Sequence, residues 1–394
     1  MAKYPRVREQ NIAVFGESGS GKTVLVSSFF GATQDGSYQN NIWDLVALQT
    51  GQGNRLYQNY LGMRDMATVP MATRFSNTTY SFAVRLKPGS PEETKKRAFD
   101  ELRLIWHDYP GEWFREDPST DEEKNRRFDT FVTLLKSDVA ILLVDGQELL
   151  NHAGEEERYL KLLFGNFRQS LMRLKPDLLA QSGPLVEFPR IWILALSKAD
   201  LLPDWDVNRF RDMIVLKAAD DVERTRECLA ELVKSPEAFS FGEDFMLLSS
   251  AKFQLRDDGH AATEIDLTKR LGVELILPIA SVLPLERRLL WQERFSIPVE
   301  VLVTLADGAP EFIAALTGTS YGKLARLLTR LPLSPAAKGR ALKLIKAAVE
   351  TSLPHLRKAF EEATADRENL KAMLVKFKLD LGNARVNKIM RTQI

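Results

Sequence analysis

The chain contains one cysteine, Cys228, in 394 residues, so no disulfide can form within it. Its first ten residues hold no apolar run of leader length, and together these features lead us to expect a reducing, cytoplasmic setting. Nothing approaches the roughly 18 consecutive apolar residues of a membrane span. The longest apolar runs, residues 139–144 and 191–196, have the length of buried strands. The four histidines, His107, His152, His260 and His355, show no metal-ligand spacing, and no Ser-His-Asp arrangement stands out. Internal repeats and low-complexity tracts are missing too. The net charge is only +1, so the chain as a whole is neither acidic nor basic.

What is present is a globular composition, 44% apolar and 27% charged, long enough for two domains. Charge is segregated along it. Residues 320–394 carry 16 Lys and Arg against 6 Asp and Glu, a balance of +10, whereas the rest carries 38 against 47, a balance of −9.

Periodicity and turn residues divide the first two-thirds into alternating strands and helices. Strands are expected at 11–15, 80–86, 102–107, 139–144, 190–196 and 245–248. Helices are expected at 22–30, 43–63, 128–135, 155–174 and 207–233, with a charged loop over 115–127. The alternation predicts an α/β fold with a mostly parallel sheet covered on both faces. Strand 80–86 is the antiparallel exception, pairing with 102–107. Beyond about residue 264 we expect no strand, only helices at 268–292, 299–316, 321–331, 335–353 and 355–388. The division is into a domain over 1–293 and a basic, all-helical module over 294–394.

The strand at 11–15 runs into Gly16-Glu17-Ser18-Gly19-Ser20-Gly21-Lys22-Thr23, a complete G-x-x-x-x-G-K-[ST] phosphate loop opening a helix. Glycines let successive backbone N–H groups turn inward at phosphate oxygens, and the helix N-terminus adds partial positive charge. Lys22 is expected to reach the β- and γ-phosphates and Thr23 to place its hydroxyl on Mg²⁺. The nucleotide-contacting set is taken as Gly16, Ser18, Gly19, Ser20, Gly21, Lys22, Thr23 and Val24.

Such a loop serves ATPases, kinases and GTPases alike, and three later segments choose among them. Asp108-Tyr109-Pro110-Gly111 follows a strand; Asp108 is placed to hold Mg²⁺ and Gly111 to offer its N–H to the γ-phosphate. In Ser197-Lys198-Ala199-Asp200, the Asp200 carboxylate can accept from the N1–H and 2-amino group of guanine, which adenine does not offer in that arrangement. The Lys198 stem can lie over the purine. Ser249-Ser250-Ala251-Lys252 follows the last strand and resembles the Ser-Ala-Lys turn of GTPases, in which a backbone N–H meets the guanine O6, here from Ser250, Ala251 and Lys252. Each segment has a plainer reading as a turn or cap; their order, each at a strand end, is the argument, because open α/β sheets bind ligands along that edge.

With these motifs in place, residues 11–255 resemble a P-loop GTPase of the TRAFAC class. They are closest to predicted bacterial GTPases of the double-GTPase type, found in conflict and signalling gene clusters. The resemblance implies GTP and GDP as ligands, Mg²⁺ as cofactor, hydrolysis of GTP, and a switch role with a protein partner and a homo- or heterodimer.

Two positions depart from the Ras-like pattern. Ser197 stands where Asn or Thr is usual and bridges less well to the phosphate loop. Glu112 stands where Ras-like proteins carry the Gln that orients the attacking water. It accepts a hydrogen bond but lacks the amide donor, so we expect slow hydrolysis raised by a partner, with Lys22, Gly111 and Glu112 as the catalytic set. The alternatives are a nucleotide-dependent scaffold with little hydrolysis, or a P-loop ATPase in which residues 197–200 match by accident. Arg74 and Arg115 are candidates for an arginine finger. For the Mg²⁺-binding threonine of the first switch, Thr73 is preferred to Thr68. Trp113 and Phe114 read equally as a readout surface or as core. The basic residues of the tail, Lys338, Arg340, Lys343 and Lys346 among them, form either a solvated helix face or a dock for a protein partner, an anionic membrane surface or nucleic acid.

Overall fold

The computed structural model describes residues 7–35, 43–70, 78–86, 101–114, 118–185, 188, 191–234, 236, 240–255, 262–284, 377, 380–381 and 388–390. Strand β1 (Val7–Phe15) lies in an eight-stranded sheet with β2 (Trp43–Ala47), β3 (Thr78–Leu86), β4 (Glu101–Asp108), β5 (Val139–Asp145), β6 (Ile191–Ser197), β7 (Ser240–Leu247) and β10 (Ile389–Met390). The order is β10-β7-β6-β5-β1-β4-β3-β2. The five strands from β7 to β4 are parallel, while β3, β2 and β10 join antiparallel. A separate hairpin pairs β8 (Lys252–Leu255) with β9 (Ala262–Asp266).

Every residue of β5 and β6 is buried, as expected of central parallel strands covered on both sides. The pleat of β1 divides the core. Ile12 and Val14 join one apolar cluster, with Leu25, Phe29 and Phe30 of α1 (Lys22–Gln34) and with the helix over residues 276–284. Ala13 and Phe15 join the other, with α3 (Asp121–Leu135), α5 (Glu156–Ser182) and α6 (Val207–Ala230). β1 is flanked by β4 and β5, so the direction of winding reverses there. The crevice this creates lies at the strand ends where the loop 16–23 begins.

Several expectations are corrected. Residues 43–63 are not one helix: β2 alternates inward and outward and pairs with β3, and α2 (Thr50–Met66) follows it. Five alternating residues are too few to show against the helical period of the seventeen that follow. The charged loop 115–127 ends early, because α3 starts at Asp121. Thr120 caps it by accepting from the Glu123 N–H at 3.1 Å, and Glu123 accepts from Ser119 N at 2.8 Å. That is a capping arrangement followed by an acidic first turn, which suits a helix N-terminus. A short helix, α4 (Gly146–Asn151), was not anticipated. Strands also occur where none was expected, in β9 and in β10. Residue 268 begins no helix; Ser249 and Leu271 form a bridge, and helix resumes only at 276–284. The helices expected at 299–316, 321–331 and 335–353 lie outside the described residues. Phe377 and Leu381 pack into the first core cluster with Ile389, and Phe377 meets Trp43 edge-on at 6.2 Å.

Candidate functional site

The loop between β1 and α1 takes its shape from Gly19 (φ 82°) and Gly21 (φ 91°), both in the left-handed region that side chains avoid. Gly21 also stands at the N-cap of α1. Lys22 folds back over the loop, and its Nζ donates to the Gly16 carbonyl at 2.7 Å and to that of Glu17 at 3.0 Å. Burial pushes this ammonium down to about 8, against the opposing pull of Asp108, Glu112, Glu17 and Asp145. Among the described residues its hydrogen-bond acceptors are these two neutral carbonyls, so the cation is held over the loop for an anion to neutralise. The Ser20 Oγ is buried with no hydrogen-bond partner among the described residues.

Asp108, at the end of β4, comes to the same place from 85 residues away: Thr23 Oγ1 donates to its Oδ2 at 3.2 Å. Burial raises the Asp108 carboxyl, and the Lys22 charge is the main force holding it down. Its Oδ1 is buried and has no hydrogen-bond partner among the described residues. A hydroxyl and an under-coordinated buried carboxylate, side by side at a phosphate cradle, are the hard oxygen donors magnesium takes. These residues fit the ion.

The segment after Asp108 is packed onto the loop. Gly16 N donates to the Tyr109 hydroxyl at 2.9 Å, and Lys22 Nζ sits 5.2 Å from the centre of the Tyr109 ring. A Cβ on Gly111 would fall 2.2 Å from Ser18 N and 2.4 Å from the Glu17 carbonyl carbon, so only glycine fits there. Glu112 follows, its Oε2 buried with no hydrogen-bond partner among the described residues. Trp113 is buried in the second core cluster and carries the Arg127 guanidinium over its ring at 5.5 Å, which favours its core reading over the readout surface.

At the other end of the crevice, Asp200 Oδ1 accepts from Ser249 Oγ at 2.6 Å and Oδ2 from Phe253 N at 3.0 Å. The segments 197–200 and 249–252 are thereby joined. Ser28 of α1 donates to the Ser250 carbonyl at 2.8 Å, which ties the second segment to the helix that carries Lys22 and Thr23. Ser197 Oγ donates to the Val144 carbonyl at 3.3 Å, within the sheet. Lys198 pairs with Asp145 at 2.8 Å.

The structure thus brings Gly16 to Thr23, Asp108 to Glu112, Ser197 to Asp200 and Ser249 to Lys252 to one edge of the sheet. Thr73, Arg74 and Arg115 lie outside the described residues. Thr68 is described, and its N–H closes the end of α2 on the Gly62 carbonyl at 3.0 Å. Sequence reasoning missed Asp145, Tyr109 as a tie to the loop, and Asn166, whose Nδ2 holds Glu17 Oε1 at 3.1 Å. His107, next to Asp108, has its pKa pushed down to about 4 by burial. Position at a strand end was the one available signal for Asp145. Arg55 on α2 lies over the Tyr80 ring at 5.8 Å, and its charge is felt at Asp108. A 490 Å³ cavity beside Asp108 is lined by Thr79, His107, Glu122, Arg126 and Asp129, among others.

The family model for Double-GTPase 2 matches residues 10–230. Among curated proteins, none matches the sequence. Among solved structures, the nucleolar GTP-binding protein 1 of Plasmodium falciparum is similar over 75% of this chain and 97% of its own, at 13% identity and a TM-score of 0.30. The family match spans more than half of the chain, from the phosphate loop to α6. The chain belongs to the Double-GTPase 2 family and is a GTP-binding protein of the P-loop GTPase class.

Proposed function

We propose that this protein is a magnesium-dependent GTPase acting as a molecular switch. The observation that carries the reading is the convergence of four strand-end segments on one edge. The phosphate loop meets Asp108 through Thr23, and Asp200 meets the 249–252 turn. In this reading the backbone of residues 16–21 and the Lys22 ammonium hold the phosphates. Thr23 and Asp108, with Thr73, would hold magnesium, which would supply positive charge to offset that of the phosphates. Asp200 selects guanine, Ser250 to Lys252 approach its O6, and Lys198 covers its face.

For hydrolysis, the Gly111 N–H is offered to the γ-phosphate and Glu112 accepts a hydrogen bond from the attacking water. The carboxylate positions water, but its charge stands against the negative phosphate, so turnover is slow until a partner adds a cation. An arginine supplied this way is worth roughly 10³–10⁵ in rate. Loss of the γ-phosphate contacts at Gly111 frees the 108–114 segment, and the basic module at 294–394 passes the change to a protein partner. A role in a bacterial conflict or signalling system accords with the family resemblance. Glu112 also favours a second reading, a scaffold that binds GTP and hardly hydrolyses it. Single-turnover hydrolysis of radiolabelled GTP separates the two. In the GTPase reading, phosphate release is measurable and is lost in Lys22→Ala. No release from folded wild-type protein that holds GTP leaves the scaffold.

A further inference from the structure

Asp145 ends β5 and caps α4, and every arm of it is fixed. Its N–H donates to the Tyr159 hydroxyl of α5 at 2.9 Å. Oδ1 accepts from Gln147 N at 2.9 Å, closing the first turn of α4. Oδ2 accepts from Lys198 Nζ at 2.8 Å. The Asp145 side chain is only 8% exposed, while Lys198 keeps 30%. A surface ion pair between two long, mobile groups does little; here one partner is a rigid buried anchor.

The lysine is fixed from its other end as well. Lys198 adopts φ 51°, one of only two left-handed non-glycine residues among those described. The carbonyls of Ser197 and Lys198 press on Gly146, where a Cβ would come within 2.7 and 3.0 Å of their oxygens. Glycine after Asp145 is therefore what lets the ends of β5 and β6 approach. Backbone and ammonium together hold the four-carbon stem of Lys198 in one orientation, beside Asp200. Ser197 gives no such hold, because its hydroxyl is turned to Val144.

We propose that Asp145 is a positioning residue for the guanine nucleotide: by anchoring Lys198 Nζ it keeps the lysine stem flat against the purine while Asp200 reads the purine edge. This rests on the GTP-binding reading above. Pre-organisation of this kind lowers the ordering cost of binding and acts mainly on the dissociation rate.

The test is release of a fluorescent GDP analogue from the full chain with magnesium, in wild type, Asp145→Asn, Lys198→Met and the double variant. Asparagine keeps the volume and can still cap α4; methionine keeps the stem and removes the ammonium. Each single variant is expected to release nucleotide about tenfold faster, and the double variant no faster than either, because both remove one contact. An unchanged rate in Asp145→Asn overturns the proposal. So does a double variant in which the two effects multiply, since Asp145 would then act through something other than Lys198. Should Asp145→Asn fail to fold, Asp145→Glu displaces the ammonium by one methylene; faster release is again expected and unchanged release again overturns. A folded wild type that retains no GDP sinks both readings, whereas a wild type that holds GDP no more tightly than its Asp145 variants sinks this one alone.

Discussion

The two ends of the crevice are built on opposite principles. At the phosphate end, charges are buried and left short of partners. Lys22 rests on neutral carbonyls of its own loop, and among the described residues Asp108 Oδ1 and Ser20 Oγ find no hydrogen-bond partner. At the base end the charges are already matched. Asp200 is held by Ser249 and Phe253, and Lys198 by Asp145. The first arrangement stores the electrostatic demand that a triphosphate and a cation satisfy. The second stores shape, holding donors and acceptors still so that one purine edge fits. Affinity should therefore reside at the phosphate end and selectivity at the base end.

The largest expected effect is at the phosphate end. Lys22→Ala removes a charge-assisted contact to the β-phosphate and should weaken GDP binding by about 10²–10³-fold, with ADP no better bound. Titration calorimetry reads it, and a loss under tenfold would break the contrast. Next comes the base end, where Asp200→Asn should cost guanine nucleotides about 10²-fold and shift preference toward xanthine nucleotides, whose edge accepts where guanine donates. Competition between GDP and XDP measures this; an equal loss for both would mean that Asp200 sets affinity and not choice. Gly111→Ala is expected to slow single-turnover hydrolysis by about tenfold, because its Cβ would sit 2.2 Å from Ser18 N and force the segment off the loop. GDP release should change less than hydrolysis.

The smallest effect is graded with pH. The Lys22 ammonium lies at about 8 in the free protein, and a bound phosphate must raise it. Binding then takes up protons: affinity is full below about pH 8 and falls by up to about tenfold per pH unit as pH rises from there to the complex's own, higher value. Calorimetry in buffers of differing ionisation heat detects the uptake. No uptake at pH 8.5 would place the lysine away from the phosphates.

The sequence was most legible where chemistry fixes spacing. The phosphate loop is eight contiguous residues with two obligatory left-handed positions, Asp108 closes β4, and Asp200 lies in the turn just after the apolar run of β6. Local pattern failed where partners are distant. β2 is defined by pairing with β3, and its five residues are followed by a helix that masks their alternation. Asp145 is set apart by partners distant in sequence, above all Lys198, 53 residues away. The Tyr109 hydroxyl reaches Gly16 across 93 residues, and no motif encodes that. The N-terminus of α3 was in fact readable, since Thr120 and Glu123 form a capping pair; a run of charge hid it.

The account stands on one binding event. Calorimetric titration of the folded, nucleotide-stripped full chain with GDP and then with ADP, both with magnesium, tests it most directly. A single GDP site and at least 10²-fold weaker ADP binding is the predicted result. Equal affinity for the two, or no heat with GDP from a chain that melts cooperatively, would contradict it.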